Sequence, residues 1–157
     1  MRLNASLVLV LCALFAAVGC SKNDDSIPPP TSPTIVSNLS GNWTGNLVVE
    51  GETAKMTWAL SQATGSSSVT GTVLVALPSG TVLLNAAVAG QLSNMTFTYL
   101  LAVGAGGVPS QPSCVGQLSG TSMLATGTPA TLTGNFAIVS STCTSPVQNS
   151  SFTLTKS

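Results

Sequence analysis

The chain has 157 residues and few charges, with four Lys or Arg side chains, four Asp or Glu side chains and no histidine. This composition excludes a nucleic-acid partner, because neutralising phosphates requires a basic patch. It also excludes a Ser-His-Asp triad, because the general base is missing. Hydrophobic residues make up 44% of the chain, so we expect a globular domain with its own core.

The first 19 residues have the pattern of an export signal. Arg2 supplies a positive charge, and an apolar run from Ser6 to Val18 follows that is too short to span a bilayer. The run ends in Ala17-Val18-Gly19-Cys20, which resembles the lipobox of bacterial lipoproteins. The resemblance implies cleavage before Cys20 and acyl chains on this residue, and two or more such chains anchor a protein stably in a membrane. The alternative is an ordinary secretory signal with Cys20 as an incidental thiol.

Residues 20–38 are predicted to be the lipidated cysteine and a linker. Ser21, rather than Asp, follows the cysteine, and in the Gram-negative sorting pattern that this resembles, the absence of Asp favours the outer membrane. The segment is rich in Lys, Asp, Ser and Pro and includes Pro28-Pro29-Pro30. Such a composition predicts an extended, partly polyproline spacer. A strand is disfavoured here, because proline cannot donate to a β-ladder.

Residues 39–157 alternate apolar and polar side chains with a period of two, which predicts β-strands. Turn sequences rich in Gly, Pro, Asn and Ser separate the alternating segments. The pattern predicts an all-β domain with eight antiparallel strands in an up-and-down barrel, and a two-sheet sandwich is the alternative. The predicted inward-facing stripes are Trp43, Leu47 and Val49; Met56, Trp58 and Leu60; Val69, Val73, Val75 and Leu77; Val82, Leu84, Ala86 and Val88; Met95, Phe97, Tyr99, Leu101 and Val103; Cys114, Leu118 and Leu124; Leu132, Phe136 and Ile138; and Phe152 and Leu154.

Glycine recurs inside four of these segments, at Gly71, Gly90, Gly116 and Gly134. Inside a strand, glycine marks a bulge or a tight bend of a closing sheet, which favours a barrel. The first strand opens with Gly41-Asn42-Trp43, which resembles the Gly-x-Trp motif of lipocalins and of the wider calycin group, including avidin-like barrels. The resemblance implies that Trp43 closes the barrel base. The second lipocalin motif, of the Thr-Asp-Tyr type, is absent from the sequence.

The proposed topology assigns the connections to the two barrel ends. If the first strand starts at the base, the linker and the C-terminus emerge there. The opposite end, the mouth, then receives the turns at 50–53 and 78–80 and the loops at 104–113 and 140–150. Cys114 and Cys143 flank the two long loops, and the hairpin register places them opposite each other. We predict a structural disulfide between them, since Cys12 is removed with the leader and Cys20 is lipidated. A metal site is the weaker alternative.

Four inward side chains are candidates for contact with a ligand: Met56, Trp58, Phe97 and Tyr99. A small eight-stranded barrel is either filled by such side chains or holds one small molecule. The neighbouring carboxylates Glu50 and Glu52 could form an acid–base pair, but a solvated turn is the favoured interpretation.

We therefore predict a lipid-anchored, non-catalytic envelope protein with a structural or binding barrel and no cofactor or metal. The alternatives are a calycin-like carrier of a small apolar ligand and a surface adhesion or glycan-contacting module.

Overall fold

The computed structural model describes residues 37–144 and 150–157. Each strand pairs in antiparallel fashion with the next, and the last strand pairs with the first, so the sheet closes into a barrel. This confirms the predicted eight-stranded up-and-down barrel and excludes the sandwich. The predicted signal segment, Cys20 and residues 21–36 of the predicted linker lie outside the described residues. The strands are β1 Gly41–Val49, β2 Glu52–Gln62, β3 Ser68–Ala76, β4 Val82–Ser93, β5 Thr96–Val103, β6 Gly116–Ala125, β7 Thr131–Ser141 and β8 Ser150–Lys156.

Burial alternates along the strands, with the apolar side chains inside the barrel, except in the last five residues of β7, which are all exposed. Trp43, Trp58 and Phe97 are completely buried, and Leu132 and Leu154 are buried with them. Tight packing of such side chains is the main favourable contribution to the folding of a small domain. The predicted stripes therefore describe the core well.

Ile138 differs from the prediction, because 39% of its surface is exposed. It lies on the mouth half of β7, where a β-bulge interrupts the pairing with β6 between Gln117 and Leu118. The side chain lines a recess at the mouth together with Leu84 and Leu118. It is therefore on the inner side of the wall, but at a height where solvent reaches it.

Glycines allow the wall to bend inward at two strands, β4 and β6, which lie on either side of β5. A β-carbon at Gly90 would collide with the carbonyl oxygen of Thr98, and one at Gly120 would collide with that of Asn135. Both positions are on the inward-facing side, between buried neighbours along their strands. Only glycine permits this close approach of adjacent backbones. Of the four glycines that predicted a closing sheet, Gly71 and Gly134 make the same close approach as Gly90, whereas Gly116 leaves more room for a β-carbon.

The segment 37–40 crosses the base end of the barrel. Leu39 is completely buried, and its carbonyl oxygen accepts a hydrogen bond of 2.8 Å from Nε1 of Trp43. The Leu39 backbone N–H donates to Oε1 of Gln62 at 2.8 Å. Nε2 of Gln62 in turn donates to the carbonyl oxygen of Ser66 at 2.7 Å. A buried amide side chain thus joins the incoming chain, β2 and the following turn, and the base is closed.

The β5–β6 loop, residues 104–115, folds back over the mouth. Val108 is only 4% exposed and packs against the core. The loop is fastened to the wall where the Asn85 backbone N–H donates to the carbonyl oxygen of Gly107 at 2.7 Å. A long loop that buries one apolar side chain in this way covers the end of the barrel.

Candidate functional site

The four predicted ligand-lining side chains lie together inside the barrel. The ring centroids of Trp58 and Tyr99 are 5.0 Å apart with the planes nearly perpendicular, and those of Phe97 and Tyr99 are 5.2 Å apart. Phe152 adds a ring 5.2 Å from Trp58. Such edge-to-face and tilted pairs contribute beyond the area they bury. The rings therefore contact one another across the centre of the barrel, and Met56 is buried in the same core.

The hydroxyl of Tyr99 has a protein partner. It donates a hydrogen bond of 2.7 Å to the carbonyl oxygen of Asn135, passing over Gly120, which has no side chain to block it. Burial raises the pKa of the Tyr99 phenol, because the charged phenolate would lose its hydration. Within the described residues, two other buried polar atoms have no hydrogen-bond partner, namely Nε1 of Trp58 and Oγ of Ser122.

Trp43 lies at the base, where its ring is completely buried. The ammonium nitrogen of Lys156 lies 5.4 Å from the ring centroid, within the range of a cation–π interaction. Trp43 also pairs with Lys156 across the β1–β8 closure. The tryptophan that opens the first strand therefore contacts the strand that completes the barrel.

Cys114 and Cys143 form a disulfide at the mouth, as predicted, with Cα atoms 4.9 Å apart. The β-bulge in the β6–β7 pairing is what aligns them. Beyond the bulge, Gly116 pairs with Ser141, and the same register continued by two residues on each strand brings the cysteines opposite each other. The disulfide between the two cysteines was predicted from the sequence, but the bulge was not.

A second connection joins the same two loops. The side chain of Gln111 donates from Nε2 to the carbonyl oxygen of Thr144 at 2.6 Å, and its Oε1 accepts from the Thr144 backbone N–H at 2.7 Å. The covalent and hydrogen-bonded links hold the β5–β6 loop against the end of β7. Below this loop lies an apolar recess of about 20 Å³, lined by Leu84, Val103 and Val108 among others. That volume is close to the room that one water molecule needs.

The outer wall of β4–β8 has a much larger concave surface, an open groove of about 810 Å³. We call this surface the wall groove. The inward bends at Gly90 and Gly120 form part of its lining. Outward side chains that line it are Ala89, Thr98, Leu100, Ser119, Thr121 and Asn135. Sequence reasoning missed this surface, although its signal was present in the small, uncharged residues at outward positions of these strands.

The charges of the described residues lie elsewhere. Glu50 and Glu52 are exposed at the β1–β2 hairpin, Lys55 is on β2, and Lys156 is at the base. No charged side chain among the described residues lines the wall groove. Glu50 and Glu52 do not face the groove or the recess at the mouth, so the two carboxylates remain part of a hairpin turn.

The sequence matches no protein-family model, no curated protein and no solved structure. Across the two described ranges, no three His, Cys, Asp or Glu side chains come together as they would around a metal ion. Nor does the described part of the chain contain a helix of the length and apolarity needed to cross a membrane. The proposed function therefore rests on the geometry of the barrel.

Proposed function

We propose that this protein is a lipid-anchored envelope protein whose barrel has no catalytic role and binds a partner with its outer wall. The observation that carries the proposal is the contrast between the recess at the mouth and the largest open groove of the outer wall among the described residues. The wall groove has a volume of about 810 Å³, whereas the recess at the mouth has about 20 Å³. Known ligand sites occupy several hundred cubic ångströms. The outer wall offers such a volume without any rearrangement of the core.

The anchor is proposed from the sequence. Cys20 carries the acyl chains, and residues 21–36 separate the lipid from the barrel. The described chain enters the barrel at the base, and Lys156 at its other end is also at the base. A tether at the base directs the mouth away from the membrane. It also leaves the wall accessible on all sides, as a wall-binding barrel requires.

Metabolic labelling with a fatty acid tests the anchor. The wild-type chain is expected to incorporate the label, and Cys20→Ser is expected to lose it and to leave the membrane fraction. Cys12→Ser is the matched control, because that cysteine lies in the predicted leader and should not affect labelling. Equal labelling of wild type and Cys20→Ser would refute the lipid anchor. Fractionation of the labelled membranes then tests the proposed outer-membrane location.

Site-specific photo-crosslinking in living cells tests binding through the wall. A photoreactive residue at Thr98 lies in the groove, and one at Thr57 lies on the outer face of β2, away from the groove. Both replace an outward-facing threonine in the middle of a strand, so the positions are matched in chemistry. We expect adducts from position 98 and few from position 57. Equal adducts from both positions, or none from either, would contradict a specific binding wall.

A carrier of a small apolar ligand is the second candidate. It is favoured by Nε1 of Trp58, which is buried in the barrel without a hydrogen-bond partner among the described residues. A ligand acceptor atom in the core could satisfy this donor. Native mass spectrometry of the protein purified from its own membrane tests the candidate. A co-purified small molecule that disappears in Trp58→Phe would favour the carrier over the binding wall.

A further inference from the structure

The wall groove combines two kinds of surface. Thr98, Ser119 and Thr121 present hydroxyl groups, and Gln91 and Asn135 present amides. Between them lies an apolar patch centred on Leu100, which is 50% exposed although it is a large hydrophobic residue. The sheet holds these side chains on adjacent strands, since Leu100 pairs with Ala89 on one side and with Ser119 on the other. The groove therefore offers a mostly apolar floor with hydrogen-bonding groups around it.

The polar rim is partly fixed before any ligand arrives. Oε1 of Gln91 accepts a hydrogen bond of 2.8 Å from the Ser67 hydroxyl, and its Nε2 contacts the Ser68 hydroxyl at 3.0 Å. These bonds hold the amide at one edge of the groove. The remaining hydroxyl groups stand on threonine and serine side chains, which have few rotamers to lose. Binding to such a surface costs little conformational entropy.

The chemistry of the lining narrows the class of ligand. An anionic or cationic ligand would meet no opposite charge, because the four charged side chains of the described residues lie outside the groove. A wholly apolar ligand would strip water from the hydroxyls and amides without replacing their hydrogen bonds, which is unfavourable. A sugar ring satisfies both parts of the surface. Its hydroxyl groups exchange hydrogen bonds with the rim, and its C–H face covers the apolar centre.

We propose that the wall groove binds a neutral oligosaccharide, with the C–H face of one ring on Leu100 and its hydroxyl groups on Thr98, Thr121 and Asn135. This inference rests on the proposed binding role of the outer wall and assigns its ligand class. A volume of about 810 Å³ holds a short oligosaccharide rather than a single ring. Charge-free recognition also predicts an affinity that does not change with salt concentration, since there is no ion pair to screen.

Titration calorimetry with the mature protein tests the ligand class. The probes are maltohexaose and chitohexaose, which are neutral, and hexagalacturonate, which is anionic. We expect at least one neutral hexasaccharide to bind with an affinity that is independent of salt, and hexagalacturonate to bind at least tenfold more weakly. Binding of hexagalacturonate as tightly as the neutral probes would overturn the inference, as would the failure of both neutral probes to bind at millimolar concentration.

Two charge insertions locate the site. Leu100→Asp replaces the apolar centre, which the C–H face of the ring would cover, with a hydrated carboxylate and is expected to weaken saccharide binding at least tenfold. Val48→Asp replaces another exposed apolar side chain, on β1 and outside the groove, and is expected to leave binding unchanged. Thermal unfolding of both variants shows whether they remain folded. Equal loss of binding in the two variants would overturn the assignment to the groove.

The same variants separate this inference from the proposed function. If both neutral saccharides fail but the protein self-associates, or crosslinks to a protein from position 98, the ligand class is wrong and the binding wall stands. If the saccharides fail and position 98 yields no adduct, both are wrong. Sedimentation velocity of wild type and Leu100→Asp detects self-association through the groove directly.

Discussion

The two ends of the barrel are closed by different means. At the base, the short segment 37–40 is held by hydrogen bonds from buried groups, chiefly those of Gln62 and Trp43. At the mouth, the long β5–β6 loop is held by a disulfide and by Gln111, which is only partly buried. Ordering a long loop costs more backbone entropy than ordering a short segment. A covalent link at the mouth and a hydrogen-bond network at the base fit this difference.

The largest expected effect is at the base. Trp43→Ala removes a completely buried indole together with its hydrogen bond to the Leu39 carbonyl oxygen. We expect the free energy of unfolding to fall by about 3–5 kcal/mol. Urea denaturation measures the change. Val48→Ala on the same strand is the control, because Val48 is 66% exposed and should contribute little. Similar losses in both variants would contradict the description of the base.

At the mouth, the double variant Cys114→Ser/Cys143→Ser removes the disulfide. The cysteines are 29 residues apart in sequence, and the chain-entropy estimate gives a loss of about 3–4 kcal/mol. Hydrogen exchange should also rise at Gly107 and Val108 in the mouth loop, while the Leu39 amide at the base keeps its protection. Increased exchange spread evenly over both ends would show that the mouth does not open separately from the base.

A matched pair of glutamines compares the two networks directly. Gln62→Ala leaves the Leu39 amide and the Ser66 carbonyl oxygen without their partner at the base, which should cost about 1–3 kcal/mol. Gln111→Ala removes hydrogen bonds to Thr144 that are exposed to solvent, so water can replace them and the expected cost is below about 1 kcal/mol. The urea concentrations at the midpoints of unfolding compare the stability lost in the two variants. A larger loss for Gln111→Ala would show that the hydrogen bonds at the mouth contribute more than those at the base.

A smaller effect than that of Gln62→Ala is expected in the middle of the barrel, which serves as the reference for both ends. Burial raises the pKa of the Tyr99 phenol, so the unfolded chain loses this proton first, at about pH 10. The contribution of Tyr99 to stability is therefore fully present below that pH and is lost as the pH rises toward the pKa of the folded state. Tyr99→Phe should cost about 1 kcal/mol at neutral pH, and the alkaline loss should be less steep in the variant.

Tyr99 is the only tyrosine of the chain, so ultraviolet absorbance of tyrosinate reports on it alone. In the wild-type protein, the absorbance is expected to rise together with unfolding rather than before it. If tyrosinate forms near pH 10 while the barrel is still folded, the phenol is exposed to water and the interior is less tightly closed than described.

Much of the fold could be predicted because alternation is a local property. Trp58 and Leu60 lie on one face of any strand that contains them, whatever its partners, and the same holds for Phe97 and Tyr99. The disulfide was also predicted correctly, but the hairpin register read outward from the turn was off by one residue until the bulge between Gln117 and Leu118. Ile138 was assigned to the inner face, but its exposure to solvent was not predicted, because exposure depends on the height of a residue in the barrel. Gln62 was missed because its side chain is polar, although it continues the inward-facing positions of Trp58 and Leu60.

The amino-acid pattern by itself determined an all-β chain, its eight strands and the inward stripes, since each depends on neighbours a few residues away. The cysteine pair followed from the number of cysteines in the predicted barrel domain, which is two. Only the tertiary structure decided that the rings of Trp58, Tyr99 and Phe152 pack against one another. It also decided that a concave surface lies on the outer wall. Both features depend on curvature and on how side chains from distant strands fill the enclosed volume, and these are properties of the closed barrel rather than of any single strand.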